Sequence, residues 1–257
     1  MKTEINTLWI GPATRLVREC LSSMARAGCT VKLHAYARDE SLLGNGIEHA
    51  DAAEIFPESE IFTYDKAAGA GSGSLAAFAN LFRYRLLAER GGWWMDADMY
   101  MLRPPEDKQP YVFSVEPGLP ELLHNGVMKV PPMSPFMREV DRQATLAPRK
   151  GILWGTTGAR LLTRTMNRHF RDLRQFALNP VVFCPIHSMQ MRALLAPPCR
   201  CTSCRPPARL PERLVKWTTS VHLWNEMWRR AGADPDADHP IYAWLAHQAE
   251  LAKAREP

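Results

Sequence analysis

The chain has 257 residues, of which 46% are hydrophobic and 23% are charged, and its formal net charge is +5. This composition is typical of a folded globular protein and excludes disorder as the main state. No run of about 18 apolar residues occurs, so we predict no membrane-spanning helix. The N-terminus lacks the basic start and long apolar centre of a signal peptide, which predicts a cytoplasmic protein.

The first part of the chain alternates strand and helix patterns. The predicted elements are buried strands at 5–10, 31–36 and 93–95, and helices that follow Thr14 and span 75–90. A strand, a helix and a second strand in immediate succession form a βαβ unit, which predicts a parallel sheet in an α/β protein. The strand at 93–95 leads directly into Asp96.

The pattern after residue 104 is less regular. We predict strands at 111–115 and 127–130, a basic helix at 159–176 and a terminal helix at 241–254. The dipeptide Asn125-Gly126 is typical of a turn, and we place it between two elements.

The charge is unevenly distributed along the chain. Residues 138–216 contain 15 Lys and Arg but 4 Asp and Glu, a balance of +11, which leaves −6 for the remainder. Such a one-sided field favours an anionic partner, which can be a phosphate, a nucleic acid or an acidic membrane surface. The alternative is a solvated Arg-rich surface without a partner.

Asp96 and Asp98 form an Asp-x-Asp pair just after a predicted strand. Two carboxylates at this spacing suit Mg²⁺ or Mn²⁺, because both cations prefer hard oxygen ligands. In a parallel sheet, ligands bind beyond the carboxyl ends of the strands, and the pair falls at such an end. The alternative is two surface carboxylates in a turn.

The pair belongs to a continuous block with a recognisable pattern. The block consists of Phe82-Arg83-Tyr84, Leu86-Leu87, Gly91-Gly92, Trp93-Trp94 and Asp96-Ala97-Asp98. It resembles the sugar-binding region of the DXD-containing glycosyltransferases, which include capsular polysaccharide transferases, α-1,4-glycosyltransferases, mannosyltransferases and, more distantly, the large clostridial toxin glucosyltransferases. The resemblance is dense over 74–104, and it continues in Leu8-Trp9-Ile10-Gly11 and His222-Leu223-Trp224-Asn225.

The resemblance implies an α/β fold of the GT-A type, with a Rossmann-like nucleotide-binding sheet flanked by helices. It implies one domain over 1–257, in which 1–104 bind the nucleotide sugar and 105–257 hold the acceptor and close the site. The expected activity is a retaining hexosyl transfer, as in polysaccharide biosynthesis, that uses Mn²⁺ or Mg²⁺. The expected donor is a UDP-sugar, with GDP-mannose second, and the acceptor is a glycan, a glycolipid or another molecule.

Residue roles follow from the same resemblance. Asp96 and Asp98 are the expected catalytic pair, in which Asp98 is the direct metal ligand and Asp96 contacts the ribose, the sugar or a metal-bound water. Asn80 and Arg83 are expected to hold hydroxyls of the donor sugar, and Trp9 to pack on the nucleotide base. Relatives often carry Asp where this chain has Asn80, so the identity of the sugar stays open.

A C-terminal segment completes the expected site. His222 and Asn225 resemble residues of a loop that closes over the donor and adds metal or phosphate contacts. Closure of this kind excludes water from the reaction. The alternative is that the segment is a core helix with His222 at its edge.

Four cysteines allow a structural zinc site. Cys199, Cys201 and Cys204 form a C-x-C-x₂-C cluster, and Cys184 upstream is available as a fourth thiolate. The spacing differs from paired C-x₂-C motifs, and the flanking prolines suit an exposed loop equally well.

Two other functions fit parts of the sequence. Phosphohydrolases of the haloacid dehalogenase type also use Asp-x-Asp, but their pair follows an early strand and precedes Thr or Val, whereas Met99 follows here. A non-catalytic protein could use 138–216 to bind anions or nucleic acid, but no nucleic-acid-binding signature occurs, so no nucleic acid is expected. In the preferred interpretation, this basic stretch docks an anionic acceptor in peripheral contact with the inner face of the membrane.

Overall fold

The structure is a computed structural model that describes residues 2–106, 108–195 and 209–254. Its centre is a seven-stranded sheet with helices on both faces, and a two-stranded ribbon lies beside it. The strands are β1 Glu4–Leu8, β2 Thr30–Ala35, β3 Ile47–Asp51, β4 Gly92–Met95, β5 Met99–Met101, β6 Val112–Glu116, β7 Leu119–Val130, β8 Ala177–Leu178 and β9 Ser220–His222. The helices are α1 Arg15–Arg26, α2 Ala76–Arg90, α3 Pro135–Leu146, α4 Ala159–His169, α5 Ser188–Leu195, α6 Asn225–Ala231 and α7 Pro240–Lys253.

The order of strands in the large sheet is β3-β2-β1-β4-β7-β6-β8. β1 to β4 are parallel, β7 is antiparallel to both of its neighbours, and β8 is parallel to β6. β5 and β9 form the ribbon, in which Met99 pairs with His222. The α/β class and the predicted βαβ unit are therefore confirmed.

The two faces of the sheet carry separate hydrophobic cores. Trp93 and Trp94 are adjacent in β4, and alternation along the strand directs their side chains to opposite faces. Trp93 joins the core formed with α1, α5, α6 and α7. Trp94 joins the core formed with α2, α3 and α4. β4 is the most apolar of the parallel strands, with Trp93, Trp94 and Met95 buried, whereas β3 at the edge of the sheet buries only Ile47.

The prediction of a turn at Asn125-Gly126 is wrong. Both residues lie inside β7, which is 12 residues long. Val127–Val130 pair with β4, and Leu123 and His124 pair with β6 on the other side. Asn125 and Gly126 lie at a shift in the register between β7 and β6, and the paired residues on either side keep them extended against the local preference of Asn-Gly for a turn.

The predicted helix at 159–176 is correct only in its first part. α4 ends at His169, because Phe170 leaves the helical conformation with φ −139° and ψ 42°. The Phe170 ring packs edge-on against Phe136 of α3 at 5.5 Å between centroids. Residues Arg171–Phe176 then form a 3₁₀ helix.

Several elements lie outside the sequence predictions, among them β3, β5, β8, β9, α3 and α5. β3 extends the parallel sheet, and α3 packs against α2. α3 carried a local signal, because Ser134 caps it by accepting the Met137 N–H and Pro135 occupies its first turn. Among the residues that the structure describes, no helix is long and apolar enough to cross a membrane.

Candidate active site

A cavity of about 460 Å³ opens at the carboxyl ends of β1 and β4, between α2 and the start of α6. All seven residues that the sequence analysis singled out for donor or metal binding line it. They are Trp9, Asn80, Arg83, Asp96, Asp98, His222 and Asn225. The structure thus brings together residues that are up to 216 positions apart in the sequence, while their individual roles remain predictions.

Asp96 is held by two donors from its own side of the sheet. Arg83 of α2 places Nη1 2.9 Å from one carboxylate oxygen and 3.2 Å from the other. Trp94 donates its indole N–H to the same carboxylate at 2.8 Å. Burial raises the pKa of Asp96, and the guanidinium of Arg83 opposes this rise. The two donors therefore fix the orientation of the Asp96 carboxylate, and the charge of Arg83 favours its ionised form.

Arg83 and Asn80 lie one helical turn apart and share a partner in β7. Arg83 donates to the backbone carbonyl of Asn125. The side-chain amide of Asn125 donates to the side-chain oxygen Oδ1 of Asn80 at 2.8 Å. Asn80 in turn donates to the Thr157 hydroxyl at 3.3 Å. An amide at position 80 both accepts and donates in this chain of contacts, which fixes its orientation towards the cavity.

Asp98 is held by the C-terminal segment. His222 places Nε2 3.1 Å from Oδ1 of Asp98, and the backbone N–H of Asn225 donates to Oδ2 at 2.7 Å. Burial disfavours the charged form of Asp98, but the charge of His222 and these hydrogen bonds outweigh burial and lower its pKa. Burial likewise disfavours protonated His222, and the charge of Asp98 outweighs it and raises the pKa of His222. Asp98 is therefore a partly buried carboxylate whose contacts favour its ionised form.

Trp224 shapes the turn that presents His222 and Asn225. Its backbone has φ +53°, a left-handed conformation that few non-glycine residues adopt. Its ring stacks on the His222 ring with centroids 3.9 Å apart, and its indole N–H donates to the Ile186 carbonyl at 2.8 Å. These two contacts offset the local backbone strain. His222 lies in β9, α6 begins at Asn225, and both residues line the cavity, while closure of this segment over a donor stays a prediction.

Trp9 and Trp154 are two aromatic residues of the cavity wall. Trp9 is partly buried at the end of β1, and its indole N–H donates to the Pro12 carbonyl at 3.2 Å. Trp154 contacts the Tyr64 ring at 5.0 Å and lies under the Arg230 guanidinium at 4.6 Å. A Cβ at Gly71 would lie 2.1 Å from the Trp154 ring, so only glycine fits there.

Glu116 and His124 also line the cavity and were not predicted from the sequence. Glu116 ends β6, and burial raises its pKa to about 7, with His222 opposing. His124 of β7 is buried behind His222, and burial followed by the charges of His222 and Arg83 lowers its pKa well below the usual range. Neither residue carries a motif, and only the pairing of β6, β7 and β4 reveals that they face the Asp-x-Asp pair.

The cysteine cluster can be compared with the structure at one position. Cys184 is fully buried, and its sulfur lies 3.6 Å from Nδ1 of His124. The other three predicted zinc ligands, Cys199, Cys201 and Cys204, lie outside the described residues. A zinc site built from the four thiolates therefore stays a prediction.

No family model matches the chain, and no curated protein matches it. Among solved structures, the chain is similar to "PaToxG Glycosyltransferase", with 12% identity, a TM-score of 0.47, and coverage of 68% of this chain and 72% of that one. At this level the likeness bears on neither activity nor substrate, which depend on the residues of the cavity.

Proposed function

We propose that this chain is a glycosyltransferase that moves a sugar from a nucleoside diphosphate donor to an acceptor hydroxyl with the help of a divalent cation. The observation that carries this proposal is the arrangement of Asp96 and Asp98. Both carboxylates face one cavity at the ends of parallel strands, where α/β proteins bind nucleotides. Arg83 neutralises Asp96, and His222 keeps Asp98 ionised.

The donor atoms in the cavity fit Mn²⁺ or Mg²⁺. Ligand atoms of Asp96, Asp98 and His222 lie within 4.8 Å of one another, and the two carboxylates supply the hard oxygens that these cations prefer. In this proposal Asp98 is the direct ligand and Asn225 a second one, and His222 lies beside Asp98 at 3.1 Å. When bound, the cation supplies positive charge for the departing diphosphate.

The neighbouring residues then bind and orient the donor. In the proposal Asn80 and Arg83 hold hydroxyls of the sugar, which their position in the cavity wall and their shared contact with Asn125 support. Asp96, with both oxygens positioned by protein donors, contacts the ribose, the sugar or a metal-bound water. Trp9 packs on the base at the end of β1. Enclosure of the reacting groups limits the access of water and hence hydrolysis of the donor.

The finer details of the reaction rest on the sequence resemblance. The proposed donor is a UDP-sugar, with GDP-mannose second, and the proposed product keeps the anomeric configuration of the donor. Residues 1–104 supply the donor-binding face, and 105–257 supply the acceptor and closing face. His222 and Asn225, which reach the cavity from the second half, support this division.

An exposed basic face adjoins the cavity. Gly158 lines the cavity at the start of α4, and Arg160, Arg164 and Arg168 follow at four-residue intervals on the exposed side of this helix. We propose that they guide an anionic acceptor, such as a lipid-diphosphate oligosaccharide, at the inner membrane surface. Vesicles with anionic phospholipid should retain the protein at low salt and lose it when the three arginines are replaced by Gln. No retention of the unchanged protein would contradict this part.

The direct test of the activity is release of nucleoside diphosphate from a panel of sugar nucleotides, with Mn²⁺, with Mg²⁺ and with a chelator. The proposal expects turnover of one donor that requires the cation. Analysis of the product by NMR then decides whether the anomeric configuration is kept. If no donor is turned over or bound, and nucleic acid binds at physiological salt, the chain is instead a binding protein that uses 138–216.

A further inference from the structure

His124, which lies outside the donor-binding residues, is connected to Asp98 by a chain of hydrogen bonds. We propose that His124 positions the Asp98 carboxylate through His222, and that His222 donates a hydrogen bond to Asp98 instead of binding the cation. The part that concerns the cation rests on the proposed function, whereas the hydrogen-bonded chain does not.

The positions of the protons follow from one backbone group. The Gly126 N–H can only donate, and it points at Nδ1 of His124 at 3.2 Å. Nδ1 of His124 therefore accepts, and the ring proton of neutral His124 lies on Nε2. This Nε2 is 3.1 Å from Nδ1 of His222, and Nδ1 of His222 accepts its hydrogen bond while the His222 ring is neutral. The proton of His222 is thereby assigned to Nε2, which lies 3.1 Å from Asp98.

This assignment decides what His222 can do. A ring nitrogen that carries a proton has no lone pair to offer a metal, so Nε2 of His222 serves as a donor. Oδ1 of Asp98 then receives the His222 N–H, and Oδ2 receives the Asn225 N–H. The carboxylate is held at both oxygens, and one lone pair on each oxygen remains for a ligand in the cavity. Outer partners of this kind orient metal-binding carboxylates in many proteins.

Gly126 allows the first hydrogen bond of this series, the one from its own N–H to His124. A Cβ at this position would lie 2.5 Å from Cε1 of His124 and 2.9 Å from Oδ2 of Asp96. Only glycine lets the backbone approach both groups. The Gly126 carbonyl also accepts the N–H of Asp96 at 2.8 Å. The same residue thus fixes the proton on His124 and the position of Asp96.

A second arrangement competes with this one. Ligand atoms of His124, Cys184 and His222 lie within 4.8 Å of one another and are all buried, so they could hold a soft cation such as Zn²⁺. Such a cation would need free lone pairs on both rings and would break the contact between His124 and His222. The experiments below distinguish this zinc arrangement from the hydrogen bonds between His124, His222 and Asp98.

The first experiment observes the protons directly in the protein without metal. Two-dimensional ¹H–¹⁵N NMR of the histidine rings is recorded at pH 8.5 after treatment with a chelator. The signals are assigned with His124→Gln and His222→Gln. We expect both rings in the form that carries its proton on Nε2. A proton on Nδ1 of either ring, or ring signals altered by zinc that survives the chelator, would overturn the proposal.

The second experiment measures the affinity for Mn²⁺, alone and with uridine diphosphate, by calorimetry. His124→Leu should weaken binding by about 10- to 100-fold, the usual effect of losing an outer partner. His124→Gln should restore most of the affinity, because its amide N–H can reach Nδ1 of His222. The exposed His247→Leu serves as a control and should leave the affinity unchanged.

The outcomes distinguish a role of His124 in positioning Asp98 from a role in packing alone. Equal weakening in His124→Leu and His124→Gln, or no effect in either, would contradict a role for the hydrogen bond. Thermal unfolding of each variant shows whether it is folded at the temperature of the titration. If the unchanged protein binds no Mn²⁺ while the NMR result holds, the proposed function fails and the hydrogen-bonded chain stands.

Discussion

Asp96 and Asp98 are two residues apart, yet opposite parts of the chain hold them. Arg83 of α2 pairs with Asp96, and His222 of β9 hydrogen-bonds to Asp98. The pair is therefore the point at which the N-terminal sheet and the C-terminal segment meet. Each carboxylate has its own partner, and both partners favour the charged form. Burial outweighs Arg83 and raises the pKa of Asp96, whereas His222 and the hydrogen bonds outweigh burial and lower the pKa of Asp98.

Removal of Arg83 should destabilise the protein. The Arg83 side chain is 5% exposed, so Arg83→Met leaves the charge of Asp96 without its ionic partner. Breaking a fully buried ion pair costs about 3–5 kcal/mol of the free energy of unfolding. Because the Asp96 side chain is 23% exposed, we expect a loss below that range, which urea denaturation measures. Arg90→Met, which removes an exposed pair with Glu54, is the matched control and should cost less than about 1 kcal/mol. Equal losses in the two variants would contradict this account of Asp96.

The burial of Glu116 predicts a pH-dependent stability. Its pKa is about 7 in the folded protein, against about 4.3 in an unfolded chain. Because the folded-state value is the higher one, the unfolded state is favoured as the pH rises from about 4 through 7. Glu116→Gln removes this effect, so the variant should be more stable than the unchanged protein at pH 8 by about 3 kcal/mol.

At pH 4.5 the same comparison should give only a small difference, because the Glu116 carboxyl is then mostly protonated in the folded state. Urea denaturation at the two pH values provides the test. Glu121→Gln, at an exposed position of β7, should show no comparable change between them. A difference for Glu116→Gln that does not grow with pH would show that the carboxyl is not desolvated.

Gly126→Ala should impair the site more than the fold. The added Cβ would meet the His124 ring and the Asp96 carboxylate, and such overpacking costs about 1–3 kcal/mol. The affinity for Mn²⁺ should fall by about 10-fold or more, because both carboxylates lose their placement. Gly158→Ala is the matched control in the same cavity, where the nearest atom lies 3.4 Å from the new Cβ. Similar affinities in both variants would exclude a special role for Gly126.

Asn80→Asp should change which donor is used. The new carboxylate keeps the acceptor for Asn125 but loses the N–H that reaches Thr157. Turnover across a panel of sugar nucleotides should therefore shift between sugars, with little change in the concentration of Mn²⁺ that is required. Asn45→Asp, at an exposed loop position, should leave the preference unchanged. A loss of metal dependence without a shift in preference would place Asn80 outside the sugar site.

The sequence was sufficient to predict what local patterns encode. The βαβ unit followed from hydrophobic spacing, and the position of Asp96 after a buried strand followed from the Trp93-Trp94 run. The seven expected site residues line one cavity because six of them lie at the end of β1, in α2, just after β4 or at the start of α6, where their backbone directs them inward.

The remaining features depend on contacts between distant segments. Asn125-Gly126 has the composition of a turn, and only pairing with β4 and β6 extends it into a strand. His124 and Glu116 sit at ordinary strand positions, and their proximity to His222 results from the order of β4, β7 and β6 in the sheet. No local pattern specifies which strands become neighbours, so these residues could not be found from sequence.

The central claim is that Asp98 binds the cation that supports sugar transfer. The most direct test compares the unchanged protein, Asp98→Asn and Asp238→Asn for release of nucleoside diphosphate from the best donor, with Mn²⁺ and with a chelator. Asp98→Asn keeps the shape of the side chain and removes its charge, while Asp238 is a control whose side chain is 96% exposed. The account predicts Mn²⁺-dependent turnover in the unchanged protein and in Asp238→Asn, and a loss of at least about 100-fold in Asp98→Asn. Turnover by Asp98→Asn that equals that of Asp238→Asn, or turnover that persists with the chelator, would contradict it.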